Sequence, residues 1–295
     1  MDDRPDAIWD AFDGRPHEVR MGLHPLDPGR WIQPPSPPAL ATELDRKAAL
    51  LAERSSEVLA SVDDADARLA AAELAGLVVD HLVRHHPDRY RRRGRQLVLL
   101  DDGRCWDSDR FDPLDLAGRV VAEDWCLVTP GTPPVLAAAT LCSPNRWRLT
   151  EKLGRPITEI HDPVPHYRQR LATPVDAVLA GRHRGLWRRN WSIQSSPSRF
   201  QPVARGPASP QVPDEVWVRS EYETLVGLPA SGYWVFGIQT TIRPLADVAS
   251  RPALARRIHT AVATLDSHTA AYKDMAAWRD ALVAWLARAG EIPDV

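Results

Sequence analysis

Lysine is nearly missing: of the 37 basic residues in this 295-residue chain, all but Lys47, Lys152 and Lys273 are arginine. Guanidinium groups suit carboxylate clamping, although a genome-wide bias leaves the same trace. Against 39 acidic residues the net charge is −2, so no global field draws in nucleic acid or an anionic membrane. Cysteine is scarce as well. Cys105, Cys126 and Cys142 are odd in number and widely spaced, with no CxxC pair for zinc, iron–sulfur or redox work, and read as buried free thiols. No apolar run approaches the roughly 18 residues that a membrane-spanning helix needs. The start, Met1 to Asp6, is acidic and lacks the basic and apolar regions of a secretory signal, so a cytoplasmic location is expected. Also missing are GxGxxG after a strand, GxxxxGK[ST], GxSxG, HExxH and an EF-hand loop, which takes the main support from nucleotide-hydrolase, serine-hydrolase and zincin readings. What is present is an ordinary globular mixture, 44% hydrophobic and 26% charged, with 11 tryptophans that suit a bulky core or a pocket for a flat ligand.

The order of patterns predicts an α+β fold. Residues 1–37 are polar and proline-rich and read as an extension wrapped on the surface. Helical spacing over Ala39–Ala60 and Asp63–His86 predicts a helical hairpin, residues 38–90, with Asp63 or Asp64 as the N-cap of its second helix. Gln96–Leu100, closed by Asp101-Asp102-Gly103, opens a sheet. A helix over Leu114–Glu123 is expected next, then strands at Trp125–Val128 and Val135–Cys142. A helical turn at Leu149–Gly154 and a longer helix over Tyr167–Gly181 follow. Three further strands fall at Leu186–Ile193, Glu215–Leu225 and Tyr233–Ile242, with a long Ser/Pro/Gly-rich loop, Ser195–Pro213, that reads as a flap or a partly disordered segment. Helices at Pro252–Leu265 and Thr269–Ala289 close the chain. One core, residues 91–250, is therefore flanked by the hairpin and by C-terminal helices, residues 251–295.

Several clusters carry potential chemistry. His81 and His85 share a helical face beside His86 at metal-ligand spacing, yet no carboxylate or cysteine completes a site, which favours a solvated last turn. The run Arg89–Arg95 reads as a solvated linker or a docking patch for an acidic partner. In Ile160-His161-Asp162-Pro163-Val164-Pro165 two prolines stiffen the backbone after His161. Such a mount suits a metal-ligating imidazole, and a structural histidine at a turn has the same signature. A period of two puts Trp217, Arg219, Glu221 and Glu223 on one strand face. It also separates Trp187, Arg189, Trp191 and Ile193 from Arg188, Asn190 and Ser192. An Arg, an acid and an Asn on neighbouring strands line a pocket or form a surface salt-bridge ladder.

Seven stretches in order resemble the haem-dependent oxidative N-demethylase family, catalytic alpha subunit. They are Gly22–Asp27, Ala122–Cys126, Trp147–Pro156, Ile160–Pro165, Trp187–Trp191, Arg219-Ser-Glu221 with Thr224-Leu225, and Tyr272-Lys273. The resemblance implies a PAS-like central antiparallel sheet of five or six strands, with haem b between the sheet and a helical face. It also implies dioxygen chemistry on a small amine, with electrons from partner reductase subunits carrying flavin and iron–sulfur centres. On this reading His161 is the axial iron ligand, with His166 as its competitor, and its second ring nitrogen should meet a carboxylate or carbonyl. Arg148, Arg155 and Arg189 are the candidates to pair the haem propionates. Glu221, Asn190 and Arg219 carry the catalytic face, with Trp191 and Tyr167 as walls. A haem-binding sensor or carrier without turnover, or an interaction subunit that has lost the cofactor, is the rival reading. Three positions, in two stretches, depart from the pattern. Glu221-Tyr-Glu-Thr-Leu225 stands where Glu-Arg-Gln-Thr-Leu is expected, and Gln239, before Thr240-Thr241, stands where an Arg is expected. Two lost cations and one added acid would change the pocket charge and hence the amine.

Overall fold

The alternating segments become strands, and the computed structural model describes residues 7–181, 185–203 and 209–291. The acidic start and residues 204–208, in the middle of the long polar loop, lie outside the described residues. Among the described residues the ten strands are β1 (His24–Pro25), β2 (Leu59–Ser61), β3 (Tyr90–Arg93), β4 (Gln96–Leu99), β5 (Cys105–Asp107), β6 (Asp124–Val128), β7 (Leu136–Thr140), β8 (Leu186–Gln194), β9 (Trp217–Gly227) and β10 (Trp234–Pro244). Seven of them form one antiparallel sheet in the order β1-β8-β9-β10-β6-β7-β2. The count exceeds the expected five or six because β1 and β2, of 2 and 3 residues, close its edges. Strands that short leave no periodic signal. Gln96–Leu99 does not open this sheet; it is the middle strand of a separate sheet, β3-β4-β5.

The helices are α1 (Pro37–Glu53), α2 (Ser55–Val58), α3 (Ala65–His85), α4 (Pro113–Arg119), α5 (Leu149–Lys152), α6 (Ile157–Ile160), α7 (Tyr167–Arg170), α8 (Ala172–Ala180), α9 (Pro252–Ala263), α10 (Ser267–Tyr272) and α11 (Arg279–Ala289). Asp64 caps α3 by accepting from the Asp66 amide, satisfying a donor that the first turn leaves over. The expected helix over Thr269–Ala289 splits in two because Asp274 adopts a left-handed conformation, φ 58°. That conformation cannot continue a right-handed helix. Lys273 is thereby left at the break.

Two layers sandwich the large sheet. On one face Trp125, Leu127 and Val235 pack against Leu40, Leu74, Val78 and Leu82 of α1 and α3, and Ile193 and Val218 pack against Ile258, Val262, Leu282 and Leu286 of α9 and α11. Trp125 lies flat across β10, where a Cβ on Gly237 would come 2.5 Å from its ring, so only glycine fits there. The opposite face carries Cys126, Val128 and Ala139, covered by Leu149, Ile157 and Leu179 from α5, α6 and α8.

Four further sequence expectations change. The N-terminal segment is a surface wrap only over residues 13–30, none of which is buried: Ile8, Trp9 and Phe12 enter one core cluster, and Trp31 and Ile32 the other. His81 and His86 are buried rather than solvated, and their Nε2 atoms lie 3.4 Å from the Ile32 amide nitrogen and 3.0 Å from the Ile32 carbonyl oxygen. Arg89 is buried too, clamping Asp101 at 2.8 Å and the Pro35 carbonyl at 2.5 Å, while the arginines of β3 are exposed. Cys126 and Cys142 are buried free thiols as expected, but Cys105 is exposed.

The stretch Ala122–Cys126 has a structural use. Fully buried Lys47 of α1 lies 3.3 Å from Asp124 and donates to the Glu123 carbonyl. The Glu123 carboxylate accepts from the Gln33 amide and from Gln239 Nε2, both at 3.1 Å. Burial pushes its pKa up from 4.5 to about 7. The folded chain therefore holds a proton that the unfolded chain releases between those values, so stability falls as pH rises through the window. Glu123→Gln should stabilise the protein at pH 8 by on the order of 3 kcal/mol and by little at about pH 4.5. Melting curves at the two pH values check this, and an equal gain at both would refute it.

Candidate haem and amine site

Register on the large sheet assembles a polar ladder. Arg188 pairs with Glu223, Asn190 with Glu221 and Ser192 with Arg219 across β8 and β9, and Thr240 of β10 stands beside Glu221. Directly opposed residues share a face, so these side chains point together toward the layer of α5 to α8. Arg219 is wholly buried. It donates to Glu221 Oε1 at 2.8 Å, to the Arg199 carbonyl at 3.0 Å, to Thr240 Oγ1 at 3.2 Å and to the Ser143 carbonyl. Asn190 Nδ2 donates to the other carboxylate oxygen of Glu221 at 3.0 Å. Arg188 Nε lies 2.6 Å from Glu223, whose pKa burial pushes up to about 7 against the lowering effect of that guanidinium. Beyond the ladder the same face turns apolar at Leu225, Phe236 and Trp234.

The cover contributes His161. It caps α6 in a turn rather than lying in an extended segment, because Pro163 and Pro165 prevent the helix from continuing. Its ring is half-buried and stacks on Tyr167, with centroids 4.8 Å apart and an interplanar angle of 11°. Nδ1 lies 2.8 Å from the Ile157 carbonyl oxygen. A carbonyl only accepts, so Nδ1 carries the proton and Nε2 keeps its lone pair. Desolvation, then the nearby charges of Arg188 and Lys152, hold the imidazole pKa below its ordinary value, which keeps it neutral. Lys152 Nζ donates to the Ile160 carbonyl at 2.7 Å and pins the turn. The buried Tyr167 hydroxyl has no hydrogen-bond partner among the described residues.

The structure brings Glu221, Asn190 and Arg219 together, and His161 with Tyr167 on the layer opposite. It does not bring the other candidates there. Arg189 and Trp191 lie on the far face of β8: Arg189 sits over the Tyr222 ring at 5.2 Å, and Trp191 packs on Phe12 at 4.9 Å. Arg148 and Arg155 form exposed pairs with Glu151 and Glu159, each at 3.4 Å. His166 reaches Asp266, 3.5 Å away. The cations near the ladder that sequence reasoning passed over are Arg188, Arg146 and Lys273. Arg188 was legible, since the alternation that selects Asn190 selects it and rejects Arg189 and Trp191. The three departing residues also separate by face. Glu223 stands in the ladder, whereas Tyr222 and Gln239 point away, bonding the Arg30 carbonyl at 2.9 Å and the Gln33 carbonyl at 2.6 Å. Of the expected change in pocket charge, only the added acid lies on this face.

No group of three or more His, Cys, Asp or Glu side chains able to hold a bare metal ion occurs among the described residues. A haem asks less of the protein, because its ring supplies four nitrogens and one imidazole suffices. The residue types fit that group: a neutral imidazole with its tautomer set by a carbonyl, apolar side chains at Leu225 and Phe236 on the sheet face that the same layer covers, and the charges of Arg188 and Lys152 acting on the imidazole. No helix among the described residues is long and apolar enough to cross a membrane. A model of the family described as haem-dependent oxidative N-demethylase, alpha subunit-like, matches residues 22–283, and the chain belongs to that family.

Proposed function

We propose that this chain is the haem-carrying subunit of an enzyme that uses dioxygen to oxidise, and so N-dealkylate, a small amine. The observation that carries the reading is the Nδ1 contact of His161 with the Ile157 carbonyl, which leaves Nε2 as the lone-pair nitrogen for iron. Haem b would supply the activation of dioxygen, and His161 would hold it between the α5–α8 layer and the large sheet, in a PAS-like arrangement. Glu221 provides the negative charge that an ammonium needs when it leaves water. Asn190 and Arg219 each hold one oxygen of that carboxylate, so its orientation is set before a ligand arrives. Tyr167 backs the imidazole ring. Electrons would come from separate reductase subunits, carrying flavin and iron–sulfur centres, in the cytoplasm.

The test starts with the visible spectrum of the purified chain, reconstituted with haem if necessary. A Soret band, followed by amine-dependent oxygen consumption with an artificial reductant and a panel of alkylamines, is the expected result. No Soret band would reject the proposal. Bound haem with no amine-dependent turnover, even with a reductase fraction supplied, would favour the sensor or carrier.

A further inference from the structure

The charges around the ladder do not balance. Arg188 is matched by Glu223 at 2.6 Å and Arg219 by Glu221 at 2.8 Å. Two more cations reach the same place from other elements. Arg146 is largely buried, and its nearest carboxylate, Asp274, stands 3.9 Å away. Lys273 Nζ donates to the Trp191 carbonyl at 2.8 Å and lies 4.3 Å from the centre of the Trp191 ring, with no carboxylate within 4 Å among the described residues. It can take this carbonyl because β1 pairs with only Leu186 and Trp187, which leaves the outer edge of β8 unpaired beyond them among the described residues. Among the described residues four cations thus face three carboxylates, Glu221, Glu223 and Asp274. Burial pushes the Lys273 pKa down to about 8, against the pull of Glu221, as expected of an ammonium taken from water without a counter-ion. Tyr272, 45% exposed, marks where this cluster meets solvent.

A substrate carrying only positive charge would add to the surplus, and a carboxylate would cancel it. We infer that Lys273, with Arg146 beside it, is a carboxylate-binding pole of the site. The amine partner of that pole rests on the function proposed above. Two ligands carry the required group: an amino-acid-type N-alkyl amine, or the propionate of the haem itself.

Two binding measurements on the full chain separate these sources. In the first, calorimetry without haem compares N-methylglycine, acetate and dimethylamine. In the second, absorbance titration compares haem with haem dimethyl ester, which keeps the ring and lacks the propionate charges. A substrate pole predicts that N-methylglycine binds at least about tenfold more tightly than dimethylamine, as expected for a charge-assisted hydrogen bond. A propionate pole predicts the same ratio for haem over its ester. In either case Lys273→Met should remove the preference and Lys273→Arg should retain most of it. If the Met variant fails to fold, the paired ligands on the wild-type chain decide alone. Absence of both preferences overturns the inference. Haem bound equally with and without propionates, and no preference for N-methylglycine, would overturn it while leaving the haem reading intact. No haem binding together with a clear N-methylglycine preference would do the reverse.

Discussion

On the proposed function, His161→Ala is expected to remove the protein-bound Soret band of the reconstituted chain, with haem affinity falling by more than the roughly 10–100-fold that changes in an outer-shell partner cost. The size follows from the donor set. Among the candidates on this layer His161 alone combines a neutral imidazole, a tautomer fixed by the Ile157 carbonyl and a place within the electrostatic reach of Arg188 on the sheet. His166 is the control: its Nε2 is 3.5 Å from Asp266 at the far end of the same turn, so His166→Ala leaves the spectrum unchanged. Added imidazole should restore a haem spectrum to the His161 variant by filling the vacated position. The fold should survive, because the half-buried ring contributes one stacking contact and one hydrogen bond. An unchanged spectrum in the His161 variant would move the ligand elsewhere.

Arg219→Met destabilises the chain by about 3–5 kcal/mol, the cost of breaking a buried ion pair from one side. The guanidinium ties β9 to Glu221, to β10 through Thr240, and to the backbone at Ser143 and Arg199, so its loss strands a carboxylate and two carbonyls at once. Glu221→Gln is milder, since the amide keeps an oxygen for Arg219 or Asn190. Urea unfolding of the two variants measures the difference. A loss below about 1 kcal/mol for Arg219→Met would mean that water replaces these acceptors and that the cluster is not a closed network.

Much of the sheet was legible because β8, β9 and β10 alternate over nine or more residues, long enough for a period of two to stand out. The same alternation places Arg188 with Asn190. It also puts Arg189 and Trp191 on the other face of β8. Other features left no local trace. Lys273 meets the Trp191 carbonyl across 82 residues, and the helix break that frees it depends on a left-handed Asp274. The acids of Ala122–Cys126 resemble a functional motif in sequence, yet their partners are Lys47, Gln33 and Gln239, which only the packed structure brings together. The exposed pairs of Arg148 and Arg155 show the converse: a basic residue within a family-like stretch need not face the site.

The position of Lys273 has one more consequence. A strand margin without a paired neighbour invites the backbone of another molecule to add itself, the route to swapped dimers and fibrils. A charged side chain sitting on the Trp191 carbonyl takes up that hydrogen-bond acceptor and sets an ammonium at the margin, which works against such strand addition together with Phe12 and His17 packed on the Trp191 ring.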